Sequence, residues 1–168
     1  MSARVFVVSD THFGHKKIIQ FEAEKRPFFS IEEHDEELVY RWNNVVRPQD
    51  TVWHLGDVLF GAKSFEHLPR LNGKKRLVLG NHDQFAVEKY LEHFVEIAGA
   101  VNYRGCLFTH VPVHPGQFYR FRGNVHGHTH SSSLPDPRYI PVSIEHTELA
   151  PVLLDKVLAK LPMEVHHG

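Results

Sequence analysis

Five short apolar segments of this chain each run almost directly into Asp, Asn or His. The residues at the ends of these segments are Asp10, Asp57, Asn81, His110 and His128. Short runs rich in valine, leucine and phenylalanine predict buried strands, and a glycine near three of these ends lets the backbone approach another group closely. In open α/β sheets, ligands bind beyond the carboxyl ends of the strands. If the strands share a sheet, the sequence therefore predicts one cavity where all five ends converge.

The order of the predicted elements indicates a layered α/β fold with a mixed central sheet. Early strands alternate with helices, whereas the later strands lie close together and favour antiparallel pairing. The predicted strands cover residues 4–8, 51–55, 76–79, 95–98, 105–109 and 139–144, and the predicted helices cover residues 31–46, 64–68, 88–94 and 152–160. Ser30 and Glu33 form a capping-box pattern at the start of the longest helix.

The composition predicts a single globular domain over residues 1–168. Apolar residues make up 42% and charged residues 23%, which excludes a disordered chain or a coiled coil. There is no apolar run of the roughly 20 residues that a membrane helix needs, and residues 1–10 lack a signal-peptide pattern. Cys106 is the single cysteine, so the sequence predicts no internal disulfide and fits a reducing compartment. We therefore predict a cytoplasmic protein without a membrane partner. The net charge of −1 disfavours duplex nucleic acid as a partner.

Histidine is the unusual component, with 15 residues, and neutral imidazole is the commonest metal ligand in proteins. In Asp10-x-His12 and His128-x-His130, residues two apart point to the same side of an extended backbone. The candidate ligands are Asp10, His12, Asp57, Asn81, His110, His128 and His130. Seven ligands are too many for one catalytic zinc and suit two ions about 3.5–4 Å apart, an arrangement that serves in-line displacement at phosphorus.

These motifs, in this order and at this approximate spacing, resemble those of the calcineurin-like metallophosphoesterases. The resemblance rests on Asp10-x-His12, Gly56-Asp57, Gly80-Asn81-His82-Asp83, His110 and Gly127-His128-x-His130, and it spans residues 5–130. It implies a four-layer α/β/β/α sandwich with mixed sheets. It also implies roles: Asp10, His12 and His130 for the first metal, Asn81, His110 and His128 for the second, Asp57 as the bridge, and His82 as the general acid.

The resemblance implies a metal-dependent phosphoesterase in which a hydroxide between the two ions attacks phosphorus and His82 protonates the leaving oxygen. We expect a phosphodiesterase that acts on small or nucleotide-type diesters, such as cyclic nucleotides or short oligonucleotides. A phosphomonoesterase and a nuclease are alternatives within the enzyme class, and a catalytically silent metal-binding scaffold is the alternative outside it. Manganese is the expected metal, and iron, nickel, cobalt or zinc also suit the ligands.

Several residues outside the ligand set have open interpretations. His15 lies one short loop from the ligands and is a candidate for substrate binding. Arg120 and Phe121 belong to an aromatic and basic stretch between two ligand motifs, which predicts either a loop that stacks on a base or a simply packed loop. His34 is expected on the solvated surface, and Asp83 is expected to fix its loop rather than to bind metal.

Overall fold

The computed structural model describes residues 2–162, whose centre is formed by two β-sheets. The first sheet contains β1 (Val5–Val8), β2 (Thr51–His54), β3 (Lys74–Val78), β4 (Glu96–Ala98) and β9 (Val152–Leu153), in the order β4-β3-β2-β1-β9. The strands β1 to β4 pair in parallel, and β9 pairs antiparallel with β1. Parallel pairing turns the carboxyl ends of β1, β2 and β3 toward the same edge of the sheet.

The second sheet contains four strands and is also mixed. It is formed by β5 (Val101–Tyr103), β6 (Cys106–Thr109), β7 (Asn124–His126) and β8 (Tyr139–Pro141), in the order β5-β6-β7-β8. The strands β6, β7 and β8 are parallel to one another, whereas β5 and β6 form an antiparallel hairpin. The carboxyl ends of β6 and β7 therefore also lie at one edge.

The helices are α1 (Ile18–Phe21), α2 (Ile31–Val45), α3 (Val87–Leu91) and α4 (Leu154–Leu158), with 3-10 helices over Ala62–Arg70, Pro115–Tyr119 and Ile144–His146. The Ser30 hydroxyl caps α2 by accepting from the Glu33 amide at 3.1 Å. This confirms the predicted start of the longest helix. None of these helices is long and apolar enough to cross a membrane, as judged over residues 2–162.

Two hydrophobic cores hold these layers together. Phe6 and Val8 face one core, where α2 contributes Leu38 and Trp42. Val7, which points to the opposite side of β1, lies in the second core between the two sheets. Burial on both faces explains why β1 reads as a continuous apolar run.

The outer face of the second sheet is covered by residues 110–120, which include a 3-10 helix. The buried ring of Phe118 packs on Tyr139 of β8 with ring centroids 4.9 Å apart. The structure thus confirms the predicted α/β fold class with two mixed sheets in a layered sandwich.

The predicted helix over residues 152–160 is wrong at its start. Val152 and Leu153 form β9 by pairing with Val7 and Phe6, and only Leu154–Leu158 is α-helical. The partner strand lies almost 150 residues away in sequence, so a local pattern does not reveal it. The predicted domain limits of 1–168 stay a prediction, because Met1 and residues 163–168 lie outside the described residues.

Candidate metal centre

The ends of the strands from both sheets meet at one edge of the sandwich. The Asp10 amide donates to the Gly56 carbonyl at 3.0 Å, which joins the loops after β1 and β2. Across the two sheets, the His128 amide donates to Asp10 Oδ2 at 3.0 Å. The structure therefore brings together side chains from the ends of β1, β2, β3, β6 and β7. All seven predicted ligands belong to these loops.

Five of the seven predicted ligands have left-handed backbone. The φ angles are 60° at Asp10, 51° at His12, 56° at Asp57, 69° at His128 and 46° at His130. This region costs roughly 1–2 kcal/mol for a residue with a Cβ, and such residues concentrate at functional sites. The surrounding hydrogen bonds hold these five residues in conformations that the free chain disfavours.

One group of ligand atoms lies around Asp10. Its Oδ1 atom is 3.7 Å from His12 Nε2 and 4.0 Å from His130 Nε2. Asp10 Oδ1 and both ring nitrogens of His12 are buried and have no hydrogen-bond partner. Unpaired buried polar atoms are rare and require an explanation. A cation between Asp10 Oδ1, His12 Nε2 and His130 Nε2 would give a partner to the first two of these unpaired atoms.

A second group lies around Asn81. Its Oδ1 atom is 3.0 Å from His110 Nε2 and 3.0 Å from His128 Nδ1. Asp57 joins the two groups, since its Oδ2 atom is 3.4 Å from His110 Nε2 and 3.6 Å from His12 Nε2. Ligand atoms of Asp10, His12 and His130, and of Asp10, Asp57 and His110, lie within 4.8 Å of one another. The donor set of carboxylate, amide and imidazole suits divalent transition metals.

Hydrogen bonds on the far side of these ligands fix their orientation. Asp10 Oδ2 accepts from the Ser143 hydroxyl at 2.8 Å, and Asp57 Oδ1 accepts from the His82 amide at 2.9 Å. The His110 Nδ1 atom donates to the Leu55 carbonyl at 2.7 Å, which turns Nε2 toward Asn81 and Asp57. Each carboxylate thus keeps one oxygen for the protein and one for the ligand groups.

Burial and charge set the protonation of the ligands. Burial lowers the pKa of His12 by more than the Asp10 carboxylate raises it, so the ring is neutral at neutral pH. Burial alone would raise the pKa of Asp10, but the neighbouring His12 and His110 outweigh it and the pKa falls. Burial also opposes ionisation of Asp57, but the hydrogen bond and charge of His110, the His82 amide and His12 together outweigh it and lower the pKa. Deprotonated carboxylates beside a neutral imidazole are the forms that bind metal.

Asp83 shapes the loop after β3, as expected from the sequence. Its carboxylate accepts from the amides of Asp57 at 2.8 Å, Gly80 at 2.8 Å and Val58 at 2.9 Å. A Cβ on Gly80 would lie 2.2 Å from Asp57 Oδ1, so only glycine fits at this approach. His82 is exposed, and its ring centroid lies 5.9 Å from that of His12.

His15 lies beside the ligands. Its ring stacks on Phe60 with centroids 4.0 Å apart and lies 5.5 Å from the His12 ring, while its buried Nδ1 atom has no hydrogen-bond partner. Burial lowers the pKa of His15 to about 4, so the ring is neutral.

The structure does not bring Arg120 and Phe121 to the ligands. They precede the amino end of β7, whereas the ligands follow its carboxyl end. The neighbouring Arg122 amide bonds to the Gly105 carbonyl in the β5–β6 turn. At about 3.3 Å per strand residue, the two ends of β7 are on the order of 10 Å apart. The Arg120 guanidinium instead lies beside the exposed Tyr119 ring, whereas the neighbouring Phe118 is buried against Tyr139.

A buried charged network behind the first ligand group was not anticipated. Glu145 Oε1 lies 3.0 Å from His130 Nδ1 and accepts from the Arg26 guanidinium at 2.6 Å. Arg26 also donates to the Asp10 carbonyl at 2.6 Å and lies 3.1 Å from His34 Nε2. The surface prediction for His34 is wrong, because this ring is fully buried between Arg26 and Asp35. His34 lies on the same face of α2 as Ile31 and Leu38, and this helical spacing in the sequence indicates that His34 is buried.

Comparisons with known proteins give relatives over nearly the whole chain. No family model matches it. The uncharacterized protein MJ1445 of Methanocaldococcus jannaschii is 34% identical over 169 residues, 92% of this chain and 89% of that protein. The solved structure of AQ665, a protein of unknown function from Aquifex aeolicus, has a TM-score of 0.75 at 25% identity and covers 94% of this chain and 99% of that one. A more distant structure, described as a novel archaeal phosphodiesterase, has a TM-score of 0.45 at 17% identity and covers 83% of this chain and 82% of that one.

Proposed function

We propose that this chain, which belongs to the same family as MJ1445 of Methanocaldococcus jannaschii, is a metal-dependent phosphoesterase of the calcineurin-like type. The observation that carries the proposal is the pair of ligand groups that meet at Asp57. Two buried ligand atoms, Asp10 Oδ1 and His12 Nε2, lack any protein partner. Adjacent oxygen and nitrogen groups that share one carboxylate are typical of two-metal hydrolytic sites.

The distances between the ligand atoms assign the seven candidate ligands to two ions. In this proposal Asp10, His12 and His130 hold the first ion, and Asn81, His110 and His128 hold the second, with Asp57 shared by both. Two divalent ions bound there would polarise the phosphate oxygens and supply a water of lowered pKa near neutral pH. Manganese is the metal that we propose, and iron, nickel, cobalt and zinc suit the same ligands.

His82 is the proton donor of the proposed reaction. The hydrogen bond from its amide to Asp57 Oδ1 anchors it beside the ligands, while its exposed ring leaves room for a substrate. During hydrolysis, a water oxygen forms the new bond to phosphorus and the bond to the leaving oxygen breaks. The leaving oxygen keeps the electron pair of the broken bond and takes a proton from the His82 ring, and the proton that the attacking water loses balances this transfer. His15 is a proposed contact for the substrate phosphate.

The substrate that we propose is a small or nucleotide-type phosphodiester in the cytoplasm. A general acid is most useful for a diester whose leaving group is a poorly acidic alcohol. The net charge of −1 gives no attraction for duplex nucleic acid. Phosphomonoester hydrolysis is the second candidate, since the same ligands serve both substrate classes.

Hydrolysis of bis(p-nitrophenyl) phosphate beside p-nitrophenyl phosphate tests the proposal. Protein stripped with a chelator is assayed with and without added Mn²⁺, and we expect Mn²⁺ to restore turnover, with a higher rate on the diester. A higher rate on the monoester would identify a phosphomonoesterase. Binding of two ions with no turnover of either substrate would contradict the proposal and identify a metal-binding scaffold.

A matched pair of variants links the activity to the ligands. Asn81→Ala removes an oxygen that faces two histidine nitrogens, and Asn102→Ala removes the same side chain from an exposed position of β5. We expect Asn81→Ala to bind fewer ions and to lose most turnover, while Asn102→Ala keeps both. Equal activity of the two variants would refute the assignment of the second ion.

A further inference from the structure

A cavity of about 340 Å³ opens beside the proton donor of the proposed reaction. It is lined by Leu59, Phe60, Gly61, His82, Gln84 and Phe85. These residues come from the loops after β2 and β3, the same loops that carry Asp57 and Asn81. The volume is within the range of small-molecule pockets.

Phe60 lines this cavity and also contacts the metal centre. Its ring centroid lies 5.0 Å from that of His82 and 5.4 Å from that of His12, and the two imidazole rings are themselves 5.9 Å apart. Stacking on His15 at 4.0 Å holds the ring in place. A group in the cavity therefore lies next to the position of the reacting phosphate.

The lining of the cavity selects for uncharged aromatic groups. Two phenylalanine rings and Leu59 supply apolar surface, while the His82 imidazole and the Gln84 amide are the polar groups. No carboxylate or ammonium group belongs to this lining in the described part of the chain. Phe85 is held from behind by Phe65, with ring centroids 5.3 Å apart. Flat rings with apolar surface and one or two polar contacts are typical of sites that stack aromatic ligands.

We propose that this cavity binds the leaving group of the substrate and favours an aromatic one. The inference rests on the proposed function, because His82 can protonate only an oxygen on its own side of the phosphate. The leaving alcohol must then occupy the space beside His82, which is this cavity. The aromatic and basic stretch that contains Arg120 and Phe121 does not have this role, since it lies at the other end of β7.

Two diesters that differ in the leaving group test the proposal. Methyl p-nitrophenyl phosphate has an aromatic leaving group, and methyl 2,2,2-trifluoroethyl phosphate has a small aliphatic one. Each variant is compared with the wild-type protein on the same substrate in the presence of Mn²⁺, so the differing acidity of the leaving groups cancels. The measured quantity is kcat/KM, from absorbance for nitrophenolate and from fluorine NMR for trifluoroethanol.

Phe85→Ala and Gln84→Trp change the cavity and leave the side chains of the proposed ligands and of the proton donor in place, and Gln84→Trp also removes the hydrogen bond from Gln84 Nε2 to the Asn81 carbonyl at 3.2 Å. The first removes one aromatic wall, and the second fills the space, so it keeps the test valid should the first variant fold poorly. We expect each to lower kcat/KM for the nitrophenyl diester about tenfold, which corresponds to about 1.4 kcal/mol of lost contact, and to change the trifluoroethyl diester less than twofold. Phe29→Ala is the control, because Phe29 is fully exposed.

The outcomes separate this inference from the proposed function. A loss confined to the nitrophenyl diester supports the cavity as the leaving-group site. Equal losses on both substrates, or no loss on either, would overturn it while metal-dependent turnover by the wild-type protein still supports a phosphoesterase. A wild-type protein that hydrolyses neither of these diesters, nor p-nitrophenyl phosphate, with any metal would overturn both proposals.

Discussion

Replacing Arg26 by methionine should destabilise this protein far more than the same change on the surface. The Arg26 guanidinium is fully buried and donates to Glu145 at 2.6 and 2.8 Å. Burial alone would raise the pKa of Glu145, but the hydrogen bond with His130 and the charge of Arg26 outweigh it and lower the pKa. Arg26→Met leaves that carboxylate buried and without its cationic partner. It also leaves the Asp10 carbonyl without its donor.

The expected loss is about 3–5 kcal/mol, the usual cost of removing one partner of a buried ion pair. Since small domains have free energies of unfolding of about 5–15 kcal/mol, this is a large share of the total. At about 2 kcal/mol per molar urea, the unfolding midpoint should fall by roughly 2 M. Urea titration of protein without metal, followed by tryptophan fluorescence, measures the change.

Arg70→Met is the matched control. Arg70 pairs with Glu36 at 2.6 Å, but their side chains are 42% and 60% exposed. Exposed pairs contribute about 0.2–1 kcal/mol, so the midpoint should move by at most about 0.5 M. Arg26→Met and Glu145→Gln together should cost less than the sum of the single changes, since the double variant leaves no unpaired charge between them. Similar midpoints for Arg26→Met and Arg70→Met would refute the buried-pair argument.

Three further changes test the centre and the acid stability of the fold. Asp57→Asn should reduce metal content at both positions, as measured by elemental analysis, and nearly abolish hydrolysis of the nitrophenyl diester. Full metal content with normal turnover would exclude the role of Asp57 as a ligand shared by both ions. His82→Ala should keep its metal and lose about 10²–10⁴-fold in rate, with a smaller loss for nitrophenolate than for a poorer leaving group, and equal losses would argue against a proton donor. Burial opposes ionisation of Asp50, but Arg4 and two backbone amides lower its pKa from 3.8 to about 2. The ionised carboxylate therefore contributes about 2 kcal/mol to the free energy of unfolding. This contribution is present above pH 4 and is lost as the pH falls toward 2. Asp50→Asn should therefore be less stable than the wild type at pH 6, and the difference should disappear in urea titrations near pH 2.

The convergence of the seven candidate ligands could be predicted from the sequence because each one follows a strand that is visible locally. Val5–Val8 and Cys106–Thr109 are apolar runs whose ends are marked by Asp10 and His110, and parallel pairing brings such ends together. This reasoning needs the direction of each strand but not the packing of side chains. It therefore succeeded for the edge of the sandwich where the loops converge.

The supporting residues could not be predicted in the same way because their partners are distant in sequence. Arg26 and Glu145 are separated by 119 positions, and neither lies in a recognisable motif. The aromatic stretch around Phe121 lies between two ligand motifs in sequence, and this position alone leaves both base stacking and simple packing open. A crossover between parallel strands must, however, return to the amino end of the next strand, so its last residues lie away from the ligands. Phe60, which does contact them, is an isolated aromatic residue three positions after Asp57.

The meeting of the two sheets at a single edge has a consequence for folding. Asp10, His12, Asp57 and Asn81 follow strands of the first sheet, whereas His110, His128 and His130 follow strands of the second. A cation held by both sets would cross-link the loops of the two sheets, which are otherwise joined by apolar packing, by hydrogen bonds such as that from His128 to Asp10 and by the buried Arg26–Glu145 pair. At a free concentration 100 times its dissociation constant, such an ion adds about 2.7 kcal/mol to the free energy of unfolding. A chelator would then lower the stability of the contact between the two sheets. The concentration of free cation would set the lifetime of the folded protein as well as the rate of the proposed reaction.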